Sequence, residues 1–236
     1  MKTKKIILLT AVLSFQIFLA QFAKVVDQDG YVNIRKEADA KSAIVGKVSS
    51  GEIIYVYDRD ESSKNWLMAD YLNKNGDLLS GYIYNSRVRY IESYPRVPSV
   101  SVTESKAVLA SKNIKVEIIA EPFSYKENKK YFSSSRRDMQ LTDLYKGKPV
   151  WGTDGTIPRT HYKSVTAKIG NNTVEIPAAE TENLFNVNTE FTECYFDSEN
   201  ETLYISMVNS DGAGGYAVLF RVEKGKYKGK TVIMPF

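Results

Sequence analysis

One cysteine and one histidine, Cys194 and His161, are all that 236 residues offer of the residue types on which most zinc sites and thiol nucleophiles depend. A single thiol cannot close an internal disulfide, so packing must hold the fold together. Structural zinc is usually held by four ligands drawn from Cys and His, and one of each falls short of that. No GxSxG, GxGxxG, P-loop or HExxH spacing is present, so the chain carries no motif for an activated serine, a bound dinucleotide, a cradled phosphate or a zinc hydrolase. Long apolar runs are missing too, outside the first twenty residues. Beyond that start, nothing is long enough to span a bilayer.

That first stretch has a character of its own. Lys2, Lys4 and Lys5 precede the apolar blocks Ile6 to Val12 and Phe15 to Ala20, the order of a secretory signal peptide. Residues 1–20 are therefore expected to direct export, with cleavage after Ala20 leaving Gln21 first, or alternatively after Ala23. The product would be periplasmic or secreted, without stable membrane insertion. Loss of three lysines takes the formal charge from +4 to about +1. The remaining basic clusters, 126–130 and 224–230, are interleaved with acids, aromatics and glycine, which argues against a nucleic-acid partner.

What the chain has in quantity is tyrosine and phenylalanine, 16 and 10, distributed over short alternating segments. Val32, Ile34 and Ile53 to Tyr57 have the two-residue period of strands, punctuated by Gly46 and Gly51. Asn65-Trp66-Leu67-Met68 and Gly81-Tyr82-Ile83-Tyr84 continue the pattern across an Asn75-Gly76 turn, ending in Asn85-Ser86-Arg87-Val88. The order VNIR, IVGKVSSGEIIYV, NWLM, GYIY, NSRV resembles the bacterial SH3-like (SH3b) module. The resemblance implies a small β-barrel over 23–92 and a place among cell-wall and cell-surface proteins. Glu37-Ala38 replaces the module's usual Gly-Pro, and Tyr82 replaces its usual Trp. So many rings exceed what a small barrel can bury, so some should be exposed for recognition. Tyr55, Tyr57, Tyr82 and Tyr84 are the expected ligand face, with Trp66 as the core ring.

Residues 93–105 hold two prolines and much serine, and read as an extended linker or an edge segment. Beyond it, 106–236 reads as an antiparallel β-rich domain. Asn113 to Phe123 alternates as a strand, and His161 to Ile169 and Asn172 to Ile176 flank a hairpin turn. Pro177 to Asn186 is the best helix, proline suiting a first helical position. Glu190–Phe196, Thr202–Val208, Tyr216–Val222 and Tyr227–Met234 form a four-strand meander. WGTDGTIP (151–158), LYI (203–205) and NSDGAGGY (209–216) look like the carboxy-terminal region of secreted bacterial proteins, a likeness that implies no activity.

The fold class expected is thus mainly β, an SH3b-type barrel followed by an antiparallel β-rich domain with one short helix. Cys194 sits in an alternating strand without the helix start or adjacent base that a thiol nucleophile needs, and His161 precedes it, the reverse of papain-like wall enzymes. The loop at Asp211 lacks the further acids of a calcium site, and Asp211 is taken instead as a recognition contact. No cofactor, metal or catalytic residue is assigned. The expected function is non-catalytic binding of peptidoglycan peptide or an envelope protein, against two alternatives: a cell-wall hydrolase or its accessory, and a barrel that only braces the second domain.

Overall fold

The computed structural model describes residues 21–57, 65–73, 76–135 and 143–235; the expected leader and Asn75 lie outside these. Strands β1 (Gln21–Val25), β2 (Tyr31–Arg35), β3 (Ile44–Ser49), β4 (Ile53–Val56), β5 (Trp66–Leu72), β6 (Leu78–Tyr84) and β7 (Val88–Tyr90) form one antiparallel sheet. Its order is β3-β2-β6-β5-β4-β1-β7, and no pairing of β3 with β7 closes it among the described residues. The sheet wraps its own core, with Val25, Ile34, Val48, Ile54, Val56, Leu67 and Ile83 in one cluster. Trp66 is not in that core. Leu67 and Ile83 pair directly and point inward, so the neighbouring Trp66 must point outward, where it meets Tyr84 edge-on at 5.3 Å.

The remaining strands make three sheets. β8 (Ser99–Thr103), β9 (Lys106–Ser111) and β10 (Ile114–Pro122) come first, then a single turn of helix, α1 (Tyr125–Asn128), and three two-residue strands, β11 (Phe132–Ser133), β12 (Leu144–Tyr145) and β13 (Lys148–Pro149). β14 (Thr160–Ile169) and β15 (Asn172–Glu175) complete a five-stranded sheet of order β15-β14-β10-β9-β8. After another single turn, α2 (Ala178–Thr181), the meander β16 (Thr192–Asp197), β17 (Thr202–Asn209), β18 (Tyr216–Glu223) and β19 (Lys226–Ile233) runs in simple sequence order. The class is mainly β throughout, and no described helix is long and apolar enough to cross a membrane.

Two sequence expectations need correction here. The helix over Pro177 to Asn186 stops after one turn, because Leu184 and Phe185 leave it to bridge Trp151 and His161. Residues 93–105 are not a free linker. Tyr94 and Val97 are buried, the Val97 N–H donates to the Cys194 carbonyl (2.8 Å), and the Phe196 N–H donates to that of Pro95 (2.9 Å). Proline lacks a donor but keeps its acceptor, so a proline-bearing segment can still lie along a strand edge. Ser99–Thr103 then becomes the edge strand beside β9.

The meander is the middle of three layers. One face, carrying Cys194, Ile205, Met207, Val218 and Phe220, packs on the five-stranded sheet. The other, carrying Tyr195, Tyr204, Ala217, Leu219 and Ile233, packs on Phe22, Ile53 and Tyr55 of the amino-terminal sheet and on Ile91 and Tyr94. Tyr94 stacks on Tyr204 with centroids 5.6 Å apart, and the Arg89 guanidinium lies 4.2 Å above Tyr94. Lys24 pairs with buried Asp197 at 3.0 Å, and Arg221 donates to the Gly51 carbonyl at 2.7 Å. Leu219 is 1 % exposed at the middle of this contact. Leu219→Ala is expected to cost about 2 to 5 kcal/mol and to lower the melting temperature measured by calorimetry; a variant that melts at the wild-type temperature would show that this contact does not hold the layers together.

Burial opposes ionisation of Asp197, but hydrogen bonds from Asn200 and Lys24 and the charge of Lys24 outweigh it and hold the carboxyl at about 2, below its ordinary 3.8. A folded-state value below the unfolded one stabilises above the unfolded value and is lost as pH falls through the folded one. Acid titration of the melting temperature should therefore show a loss between about pH 4 and pH 2 that is diminished in Asp197→Asn.

Candidate functional site

The stretches 151–158 and 209–216, separate in sequence, meet at one rim of the molecule. Between them lies an open groove of about 590 Å³, lined by Asp154, Ile157, Arg159, Asn186, Ser210 and Asp211 among others. Its walls are loops, but the loops are pinned. Asn186 donates through Nδ2 to the Gly152 carbonyl (2.5 Å) and accepts at Oδ1 from the Arg159 N–H (2.9 Å). Its own carbonyl accepts from the Ser210 N–H (2.9 Å), which ties one wall to the other. Ser210 Oγ donates to the Gly152 carbonyl at 2.8 Å. Below, the Asn188 N–H donates to Oδ1 of buried Asn209, whose Nδ2 donates to the Tyr162 hydroxyl, both at 2.8 Å. A network satisfied this fully stiffens what it holds.

The backbone here is unusual as well. Gly152 (φ 92°), Asp154 (43°), Asn186 (51°), Ser210 (60°) and Gly212 (50°) all take left-handed angles around one groove. Asp and Asn tolerate that region better than most residues, and such conformations gather where a surface must be shaped for a ligand. At Gly152 no other residue fits: an added Cβ would stand 2.3 Å from the Phe185 carbonyl oxygen and 2.8 Å from the Tyr216 ring. Behind the groove, Tyr216 donates to that carbonyl at 3.0 Å, and Phe185 belongs to an aromatic cluster with Phe123, Phe132 and Tyr145. At the surface Asp154, Arg159 and Asp211 are exposed, two carboxylates and one guanidinium around a common space.

The structure divides the residues expected to bind. Asp211 lines the groove, and none of the four tyrosines does. Tyr55 and Tyr57 do not form a free ligand face: Tyr55 is 3 % exposed, wedged edge-on between Phe22 (5.0 Å) and Tyr57 (5.4 Å) beneath the meander. Burial raises its phenol to about 12. The Tyr57 hydroxyl donates to Asp70 Oδ2 at 2.8 Å, and burial followed by that carboxylate raises its pKa. The alternation expected of Ile53 to Tyr57 is not there: the run is apolar at every position and Ile53 to Val56 are all buried, the mark of a strand covered on both sides. Only Tyr82, half-buried, and Tyr84, 39 % exposed, remain on the open part of that face beside Trp66.

Sequence reasoning passed over Asp154, Arg159, Asn186 and Ser210. The available signal was Asp154 between Gly152 and Gly155, a turn with its own acid, but nothing local says that Asn186 will staple it to Ser210.

Cys194 is fully buried in the core between meander and five-stranded sheet, where desolvation raises its thiol well above the ordinary range. His161 lies elsewhere, edge-on to Phe123 at 5.2 Å and 3.4 Å from Glu121; burial lowers its pKa and Glu121 opposes the shift. The two do not form a nucleophile and base. Among the described residues no group of three or more His, Cys, Asp or Glu side chains gathers as a metal site. Comparison with family models, curated proteins and solved structures finds no match for this chain.

Gly152→Ala should deform the groove first. The expected result is a loss of about 3 kcal/mol or more in denaturant unfolding, and amide chemical shifts that move at 185–188 and 209–216 while those of the amino-terminal sheet stay in place.

Proposed function

We propose that this chain is an exported, non-catalytic binding protein of the cell envelope that takes its ligand, peptidoglycan peptide or a segment of an envelope protein, in the groove between residues 152–159 and 210–213. The observation that carries the reading is the pinned pair of loops with Asp154 and Asp211 set against Arg159. Opposed charges around one space suit a short zwitterionic chain, an ammonium toward the carboxylates and a carboxylate toward the guanidinium. Peptidoglycan stem peptides carry both groups. A preformed groove also avoids the cost of ordering loops on binding.

On this reading the amino-terminal sheet is chiefly a brace, since Phe22, Ile53 and Tyr55 are engaged by the meander. Export follows from the Lys-led apolar start. Cleavage after Ala20 keeps β1 whole, whereas cleavage after Ala23 would remove Phe22 from the contact between layers. The hydrolase alternative finds no support in the placement of Cys194, buried and apart from His161.

Titration calorimetry of the protein with soluble disaccharide-peptide fragments tests this. Asp211→Asn and Arg159→Gln should each weaken binding by about 1 to 3 kcal/mol, with Cys194→Ala unchanged. Binding lost instead in Tyr84→Ala would put the ligand on the open sheet face beside Trp66. Fragment cleavage that stops in Cys194→Ala would replace the binding reading with an enzymatic one.

A further inference from the structure

A second cavity, of about 390 Å³, opens where the amino-terminal sheet meets the meander. Small-molecule sites favour such junctions. From the meander it is lined by Arg221, Lys228, Gly229 and Thr231, and from the other sheet by Glu52 and Tyr71. Lys230 also borders it, but its ammonium is engaged by Glu180.

The sequence places two cations here by a specific device. β18 and β19 slip register between Arg221 and Val222: Val222 faces Tyr227 while Arg221 faces Gly229, and Lys228 is the extra residue. Such a bulge sets two residues against one and re-aims their side chains. The bulge thereby places Lys228 on the wall of the cavity that Arg221 also lines. Gly229 has φ 133°, an angle that other residues rarely take, and a Cβ there would meet nothing within 4 Å. The glycine thus serves the bend, and leaves the wall open. Arg221 uses one N–H on the Gly51 carbonyl, and a guanidinium has five. Thr231 and Tyr71 add hydroxyls, and burial, with the charge of Glu52 second, raises the Tyr71 phenol so that it stays a donor. Among the described residues that line the cavity, Glu52 is the one carboxylate.

We infer that this junction is a binding site for a small anionic molecule, its phosphate or carboxylate group held between Arg221 and Lys228 and its remainder lying between the two sheets. The site is distinct from the loop groove and does not depend on the function proposed for it. A cavity that is only a solvent-filled joint would not discriminate among anions.

The test is a thermal-shift titration of the protein with inorganic phosphate and, separately, N-acetylglutamate, each against chloride at matched ionic strength. A saturable rise with either, absent with chloride, is expected, and the anion that gives it identifies phosphate or carboxylate as the group read. Lys228→Gln, an exposed position, should raise the half-saturating concentration about tenfold, whereas Glu52→Gln, which removes the opposing charge, should lower it. Arg221→Met should abolish the rise but also loosens the contact to Gly51, so the other two variants decide. Equal shifts with chloride, or half-saturation unchanged in both Lys228→Gln and Glu52→Gln, would overturn the assignment.

Discussion

The structure depends on a four-stranded meander that is buried on both faces. An antiparallel sheet usually keeps one side for water and so alternates apolar with polar residues. β17 and β18 do not: Leu203, Ile205, Val218 and Phe220 serve one layer, while Tyr204, Ala217 and Leu219 serve the other. Removing either neighbour would expose a contiguous apolar face of the kind that soluble proteins avoid. The amino-terminal sheet, the edge segment through Tyr94 and Val97, and the five-stranded sheet are all placed by this one demand.

The same demand redistributes the aromatics. Tyrosine is useful at a surface for the reason it is useful in a contact between layers, since its ring buries apolar area while its hydroxyl finds a partner at the edge. Tyr55, Tyr94 and Tyr204 bury their rings in that contact. What the layers leave uncovered is the loops at the rim and the seam between sheets. The rim loops are shaped by left-handed residues and tied by Asn186, Asn188 and Ser210. The seam is shaped by a bulge and by Arg221, a strut that keeps spare donors.

Local periodicity was enough to locate most strands. The hairpin at 169–172, the strand over 114–122 and the meander are visible because side-chain period and turn residues act within a few positions. Asp211 was legible as a loop residue for a similar reason, being a polar residue among glycines. Errors arose where two neighbouring residues compete for one direction or where a distant element intervenes. Trp66 and Leu67 cannot both face inward, and the choice is made by Ile83 across the sheet. Phe185 leaves the helix expected of its segment because His161 and Trp151 offer strand-like bridges to that region.

By itself, then, the sequence determined the mainly β class, the strand order of the meander, the strand placement of Cys194 and the loop placement of Asp211, because each follows from periods and turn preferences that a short window contains. Tertiary structure alone decided which aromatic rings are covered and which side chains share a site. Burial of Tyr55 requires the Leu219 face to arrive from far along the chain, and the groove exists only once Asn186 bonds to Gly152 and Ser210 together. Such contacts are set by the docking of whole layers, and no short window of sequence encodes which of its apolar faces will find a partner.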